Sequence, residues 1–177
     1  MIDPRIKIVD GDITQCRVDA IVNAANERLS GGSGVNGAIQ RGAGPQLLAE
    51  CQTLGGCATG SAVATKAYLL PAKFIFHAVG PVWHGGGANE DALLAGCYRA
   101  CFALAHAHAI TSIAFPAIST GIYGFPPARA AIIAATQTKA YIDVGGALTR
   151  ILFVTFGNEA QHVLKQGFAE VFDRGGK

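Results

Sequence analysis

The chain has 177 residues, half of them hydrophobic and 15% charged, so it is long enough to bury a substantial core and too apolar for disorder. Fourteen Lys and Arg stand against twelve Asp and Glu, a formal net charge of +2, and the basic residues are scattered along the chain. That distribution excludes a basic nucleic-acid or anionic-membrane footprint but not a small anionic ligand, because backbone amides bind phosphate without a basic patch.

The first residues, "MIDPRIKIVDGDIT", hold no long apolar run after a basic start, and no uninterrupted apolar segment reaches membrane-spanning length. A cytoplasmic protein without a membrane partner is therefore expected. Short strands are predicted at 7–9, 19–23, 61–67, 74–80, 112–118 and 151–156, each rich in β-branched or aromatic residues and bounded by Gly, Pro, Asn or charge. Between them lie helical patterns. The first, over 35–54, carries Ile39, Leu47, Leu48 and Cys51, and the second, over 90–109, carries Leu93, Leu94, Cys97, Cys101 and Leu104. Pro126 and Pro127 open a third helix through Thr138, and a fourth is predicted over 159–172. Strands alternating with helices argue an α/β architecture with a largely parallel sheet, and the absence of repeats or linkers argues one domain over 1–177.

Five cysteines, Cys16, Cys51, Cys57, Cys97 and Cys101, form no Cys-x-x-Cys pair and are expected to be reduced and mostly buried. His77, His84, His106, His108 and His162 show no metal-ligand spacing, so no metal site and no cofactor are expected.

The chemistry concentrates in glycine-rich loops. Residues 29–44 read "LSGGSGVNGAIQRGAG" and contain Gly32-x-Gly34-x-x-Gly37, the pattern of a dinucleotide-binding turn. Two requirements of that turn are missing. The segment "AANERLSG" separates the preceding strand from Gly32, and no Asp or Glu occurs between Cys51 and Asn89 to hold a ribose. A Walker-type loop fails too, for want of Gly-Lys-Ser/Thr. The loop is then either another phosphate cradle at a helix N-terminus or a tightly packed cap.

A second loop, "AISTGIYGFP" at 117–126, again joins a strand to a helix and combines glycines, hydroxyls and Tyr123. Ligands of open α/β sheets sit beyond the carboxyl ends of the strands, where two such loops can clamp a pyrophosphate. "GDIT" at 11–14 places Asp12 just after a strand, either to accept hydrogen bonds from an exocyclic amine or to cap the turn. Trp83 and His84 lie in a third Gly-rich loop, most simply read as solvated with a packed Trp, and the roles of Gln40 and Arg41 stay open.

Taken together and in order, "GDIT", "VDAIVNAAN" at 18–26, "LSGGSGVNGAIQRGAG", "HAVGPVW" at 77–83 and "FPAISTGIYGFP" at 115–126 resemble the macrodomain family, closest to the bacterial macroD-type O-acetyl-ADP-ribose deacetylases. The resemblance implies a three-layer α/β/α sandwich with a six-stranded mixed sheet and ADP-ribose in a surface cleft. It assigns Asp12 to the adenine amino group with the Ile13 backbone beside it, and Phe156 to stacking on adenine, where Phe156 would otherwise read as a core residue closing a strand. The diphosphate falls to Gly32, Ser33, Gly34 and Val35 and to Ser119, Thr120, Gly121, Ile122 and Tyr123, with Asn26 and Tyr123 at the distal ribose. The implied ligands are ADP-ribose, O-acetyl-ADP-ribose and mono-ADP-ribosylated proteins. The implied reaction is metal-free hydrolysis of ADP-ribose esters; a non-catalytic ADP-ribose reader and an ADP-ribose 1″-phosphate phosphatase are the alternatives.

The pattern breaks inside the first loop. That branch of the family usually reads Gly-Gly-Gly-Gly-Val-Asp-Gly-Ala-Ile-His, whereas this chain reads "GGSGVNGAIQ", with Ser33, Asn36 and Gln40 at the changed positions. Ser33 is tolerable only at negative φ. Asn36 stands at the catalytic position, where the family's aspartate is assigned to orienting or activating water; a carboxamide orients water but has no useful basicity. Four accounts follow: a reader that has lost catalysis, a water activated by substrate phosphate with Asn26 and Asn36 positioning it, a deliberate Asp-to-Asn replacement, or partial deamidation at Asn36-Gly37.

Overall fold

The computed structural model describes residues 1–175. Its strands are β1 (Ile6–Asp10), β2 (Ala20–Ala24), β3 (Ala62–Lys66), β4 (Phe74–Ala78), β5 (Ser112–Phe115) and β6 (Arg150–Thr155). Its helices are α1 (Gly34–Ala43), α2 (Pro45–Thr53), α3 (Glu90–Ala107), α4 (Pro127–Asp143) and α5 (Asn158–Arg174), with a 3-10 turn at Ile13–Gln15. The sheet order is β1-β6-β5-β2-β4-β3. Every neighbouring pair is parallel except β3 with β4, so the sheet is mixed, as expected.

Alternation along the strands divides the core into two faces. Ala20 and Val22 of β2, Phe76 and Ala78 of β4, and Ile113 and Phe115 of β5 face α3, α4 and α5. There Phe115, Phe153 of β6 and Phe168 of α5 pack ring on ring at 5.2 and 4.7 Å. Ile21, Ile75, Ala114 and Leu152 face the other way, onto Ile39 and Ala43 of α1 and Leu47 and Cys51 of α2. The result is the three-layer α/β/α sandwich.

Most boundaries shift by one or two residues from the sequence reading, and three of the differences stand out. The helix predicted over 35–54 is two helices, because Gly44 takes φ 86° and ψ 179° ahead of Pro45. A residue before proline is pushed out of the helical region, and glycine accepts the positive φ that redirects the chain. The strand predicted over 112–118 ends at Phe115, since Pro116 has no N–H to extend a ladder. Helix α4 runs past Thr138 to Asp143, where its last turn carries a Lys139–Asp143 ion pair of 2.6 Å.

Helices α4 and α5 touch through Gly167, where an added Cβ would lie 2.6 Å from the Ala131 Cβ and 3.0 Å from its carbonyl carbon. Gly167→Ala is therefore expected to lower unfolding stability by about 1–3 kcal/mol through overpacking. Chemical denaturation of the two proteins checks this.

Candidate functional site

The parallel strands β1, β6, β5, β2 and β4 all deliver their carboxyl ends to one edge of the sheet. Every loop singled out in the sequence leaves from that edge. Asp12 follows β1, Asn26 and the glycine loop follow β2, residues 116–126 follow β5, and Phe156 follows β6.

Asp12 caps the 3-10 turn through Oδ1, which accepts from the Thr14 N–H at 2.9 Å and the Thr14 hydroxyl at 2.6 Å. The side chain is exposed and Oδ2 stays outside that cap, so capping and ligand binding are compatible on one carboxylate. Ile13 is buried in the α1/α2 face and offers only its backbone. Phe156 is 92% exposed, which overturns its reading as a core residue. The Asp10 carboxylate fixes the chain behind it by accepting from the Gly157 N–H at 2.6 Å.

The glycine loop is held by side chains from beneath. The Asn26 Oδ1 accepts from the Ser30 N–H at 3.0 Å and from its hydroxyl at 3.2 Å, while Nδ2 donates to the Ser30 carbonyl. The Asn36 Nδ2 donates to the same carbonyl at 3.0 Å. Among the described residues, nothing accepts a hydrogen bond from the N–H groups of Gly31, Gly32 and Ser33. The open first turn of α1 at Gly34, Val35 and Asn36 follows directly, so a run of unengaged donors meets a helix N-terminus. Ser33 has φ −99°, so the side chain there is unstrained, whereas Gly34 at φ 59° uses its glycine.

The second loop is built likewise. Phe125 N–H donates to the Ser119 carbonyl, the Thr120 hydroxyl donates to the Ala117 carbonyl, and the Trp83 N–H donates to the Tyr123 carbonyl. The N–H groups of Gly121, Ile122 and Tyr123 find no acceptor among the described residues. Ser119 is buried at φ 65° with its Oγ unpartnered, and Gly80 leaves room for that hydroxyl, since a Cβ there would collide with it. Ile122 is almost fully exposed and Tyr123 half-buried.

Asn36 is 7% exposed, so its side chain is enclosed by protein rather than free in solvent. Its Oδ1 accepts from the Nδ2 of Asn23, a residue the sequence reading passed over. Asn23 in turn bonds the Nδ1 of His77, and His77 Nε2 meets the Thr65 hydroxyl at 2.9 Å. Burial pushes the His77 pKa down to about 4, so the ring is neutral near pH 7. The signal for Asn23 and His77 was a lone polar residue near the end of an otherwise apolar strand, "AIVNA" and "FIFHA". Gln40 lies against Cys51, and Arg41 is exposed.

Glu90 was also missed, having read only as the start of a helix. It is buried, and its carboxylate gathers the loop after Trp83. Oε2 accepts from the His84 and Gly86 N–H groups at 2.9 and 2.8 Å, and Oε1 accepts from Ala88 at 2.6 Å. Trp83 itself packs on Phe125, with the Arg129 guanidinium 5.2 Å from its ring. Among the described residues no cluster of His, Cys, Asp or Glu has the makings of a metal site, and no helix is long and apolar enough to cross a membrane. Cys97 and Cys101 are buried free thiols, and burial pushes the Cys97 pKa up to about 12.

A mixed six-stranded sheet sandwiched between helices, with two donor-lined loops at one strand edge, defines an α/β protein built to hold an extended anionic ligand. Residues 22–134 match the family model described as Macro domain, and the chain belongs to that family. A macro domain-containing protein of Methanosarcina mazei is 53% identical over 94% of this chain and 89% of its own length. The O-acetyl-ADP-ribose deacetylase of Escherichia coli is 49% identical over 92% of this chain and 94% of its own. Among solved structures, the Oceanobacillus iheyensis macrodomain with ADP superposes with a TM-score of 0.91 at 36% identity, covering 96% of this chain and 92% of that one. The Trypanosoma brucei macrodomain in complex with ADP-ribose gives 0.87 at 42% identity, covering 92% and 68%.

Glu90 supplies a measurable pH dependence. The backbone N–H of His84, joined by those of Gly86 and Ala88, holds its pKa down from 4.5 to about 2. The bound carboxylate thus stabilises the fold above about pH 4.5, and that contribution is lost as pH falls through about 2. Glu90→Gln turns an NH₂ toward an N–H donor and is expected to lower Tm at pH 7, with the gap to wild type closing toward pH 2. Thermal unfolding across that range checks it.

Proposed function

We propose that the chain is one macrodomain that binds ADP-ribose across this strand edge and hydrolyses its acyl esters, O-acetyl-ADP-ribose foremost. The observation that carries the reading is the pair of loops whose N–H groups at Gly31–Ser33 and Gly121–Tyr123 are unengaged, because a diphosphate is the anion that needs donors on both sides. The deacetylase relatives and the ADP- and ADP-ribose-bound structural neighbours support the ligand class.

In this reading Phe156 stacks on adenine and the Asp12 carboxylate accepts from its amino group, with the Ile13 backbone alongside. Gly32, Ser33, Gly34 and Val35 take one side of the diphosphate, and Ser119, Thr120, Gly121, Ile122 and Tyr123 take the other. The remaining N–H of Asn26 reaches the distal ribose, where Tyr123 closes the cleft and Asn36 positions the attacking water. Mono-ADP-ribosyl esters on acidic residues of proteins present the same linkage to the same edge. No step calls for a metal or a cofactor.

Asn36 stands where the family aspartate is expected, and its oxygen is already engaged by Asn23. That engagement favours one second reading, a binding module with little turnover, which would bind ADP-ribose and leave the ester intact. Phosphate release from ADP-ribose 1″-phosphate would point instead to a phosphatase.

Two experiments test the proposal. Wild-type protein and Asn36→Asp are compared on O-acetyl-ADP-ribose. A carboxylate at 36 gains basicity but faces the Ser30 carbonyl, so kcat is expected to rise by at least about tenfold while KM also rises. Equal rates would place water activation elsewhere, and no ester cleavage by either would leave the binding-module reading. Asp12→Ala is expected to weaken ADP-ribose binding roughly tenfold or more by calorimetry, from loss of a charged acceptor. Unchanged affinity would reverse the ligand's orientation.

A further inference from the structure

On the face of the sheet under α1 and α2, which is otherwise apolar, a polar stripe crosses three strands. Asn23 of β2, His77 of β4 and Thr65 of β3 are each almost wholly buried and linked in line, and the stripe continues to Asn36 on α1. Both of its ends are backbone carbonyls. At one end Asn36 Nδ2 meets the Ser30 oxygen at 3.0 Å, and at the other the Thr65 hydroxyl meets the Lys66 oxygen at 3.1 Å.

Carbonyls only accept, so once the Asn36 NH₂ is given to Ser30 and the Thr65 hydroxyl proton to Lys66, the direction of each bond between them follows. The Asn36 NH₂ must face Ser30, which turns its Oδ1 toward Asn23, and Asn23 must donate there. With its one proton given to Lys66, the Thr65 hydroxyl accepts from His77, which puts the ring proton on Nε2, where the Cys51 Sγ is a second neighbour at 3.9 Å, and leaves Nδ1 as an acceptor. Asn23 must then donate to His77 as well. A chain that ends in acceptors on both sides needs one member that donates both ways, and the Asn23 NH₂ with its two protons meets that requirement. Its Oδ1 is correspondingly buried without a partner.

We propose that Asn23, His77 and Thr65 are positioning residues for the cleft: through this directed chain they fix the orientation of the Asn36 amide and hold the Ser30 carbonyl, and with it the donor-bearing glycine loop. Gly32 rides directly on that amide, since a Cβ there would lie 3.0 Å from Asn36 Nδ2. Removing the acceptor at Thr65 leaves His77 Nε2 with only the Cys51 Sγ at 3.9 Å, a weak acceptor, so the ring proton moves to Nδ1. That turns the Asn23 amide over, then the Asn36 amide, and sets the Asn36 oxygen against the Ser30 carbonyl. A residue on the far edge strand thereby acts on a loop it does not touch. The ligand consequence rests on the ADP-ribose reading above; the chain of bonds does not.

The test compares wild type, Thr65→Val, which is nearly isosteric, and Thr65→Ser, which keeps the hydroxyl. Nitrogen-15 NMR of the wild-type His77 ring is expected to show the proton on Nε2; finding it on Nδ1 overturns the proposal. In Thr65→Val, hydrogen exchange at the Ser30 and Gly37 amides is expected to quicken roughly fivefold, the effect of one lost hydrogen bond, with ADP-ribose affinity falling by a similar factor. Thr65→Ser is expected to return both to wild-type values. Adding Thr65→Val to Asn36→Ala is expected to change neither further. An equal added effect there would mean general destabilisation and overturn the proposal, as would wild-type exchange in Thr65→Val. Should the wild-type protein fail to bind ADP-ribose at all, the ligand reading fails, and the ring tautomer and exchange rates still decide the chain of bonds.

Discussion

A loop that offers its N–H groups to an anion cannot spend those same groups on holding itself in place. This constraint organises the strand edge. The two donor-lined loops, at 29–34 and 117–125, are gripped mainly by their carbonyls, which leaves the N–H groups of Gly31–Ser33 and Gly121–Tyr123 unengaged. The Ser30 carbonyl takes bonds from Asn26 and Asn36, and the Ser119 and Tyr123 carbonyls take bonds from Phe125 and Trp83, whereas the 84–88 loop gives its His84, Gly86 and Ala88 N–H groups to Glu90. Unpaired donors at an exposed edge cost little while water reaches them, and they become a cradle once a phosphate replaces that water. The parallel sheet provides the common edge, because five strands end there together.

The parts of this arrangement that were legible in the sequence are those carried by local residue type. Alternating strands, glycine-dense loops and the motif order from "GDIT" to "GIYGFP" led to the fold, the edge and the ligand class. The break between α1 and α2 was also written locally, in Gly44-Pro45, but the apolar spacing across it masks the junction. What stayed hidden depends on long-range pairing. Asn23, Thr65 and His77 lie far apart in the chain and become neighbours only through the β2-β4-β3 register. Glu90 looked like an ordinary first-turn acid, and only the fold of the 84–88 loop turns three N–H groups onto it. Phe156 could be either a core ring or an exposed platform until the strand was seen to stop one residue before it.

A buried polar stripe is expensive beside the Leu and Ile that surround it, since each unpaired donor or acceptor costs on the order of 1–3 kcal/mol. Here it is almost wholly paired, which limits the cost and leaves the Asn23 oxygen as the visible remainder. What such a stripe supplies that apolar packing lacks is direction. A Leu in place of His77 would fill volume, but it would not say which way the Asn36 amide points.

Direction also bears on the residue at position 36. A carboxylate there could accept from Asn23 as Asn36 does, but it has no proton to give the Ser30 carbonyl, and two oxygens would face each other across a 3.0 Å gap at a nearly buried position. To keep its basicity it would have to turn away from Ser30, leaving Asn26 alone to hold that carbonyl. The carboxamide instead donates to the Ser30 carbonyl and keeps the loop anchored, and on the proposed reading it orients water without deprotonating it. On the proposed reading, binding strength and chemical rate would be coupled through this side chain, because a carboxylate oxygen able to take a proton from water would stand where the Asn36 Nδ2 now holds the Ser30 carbonyl.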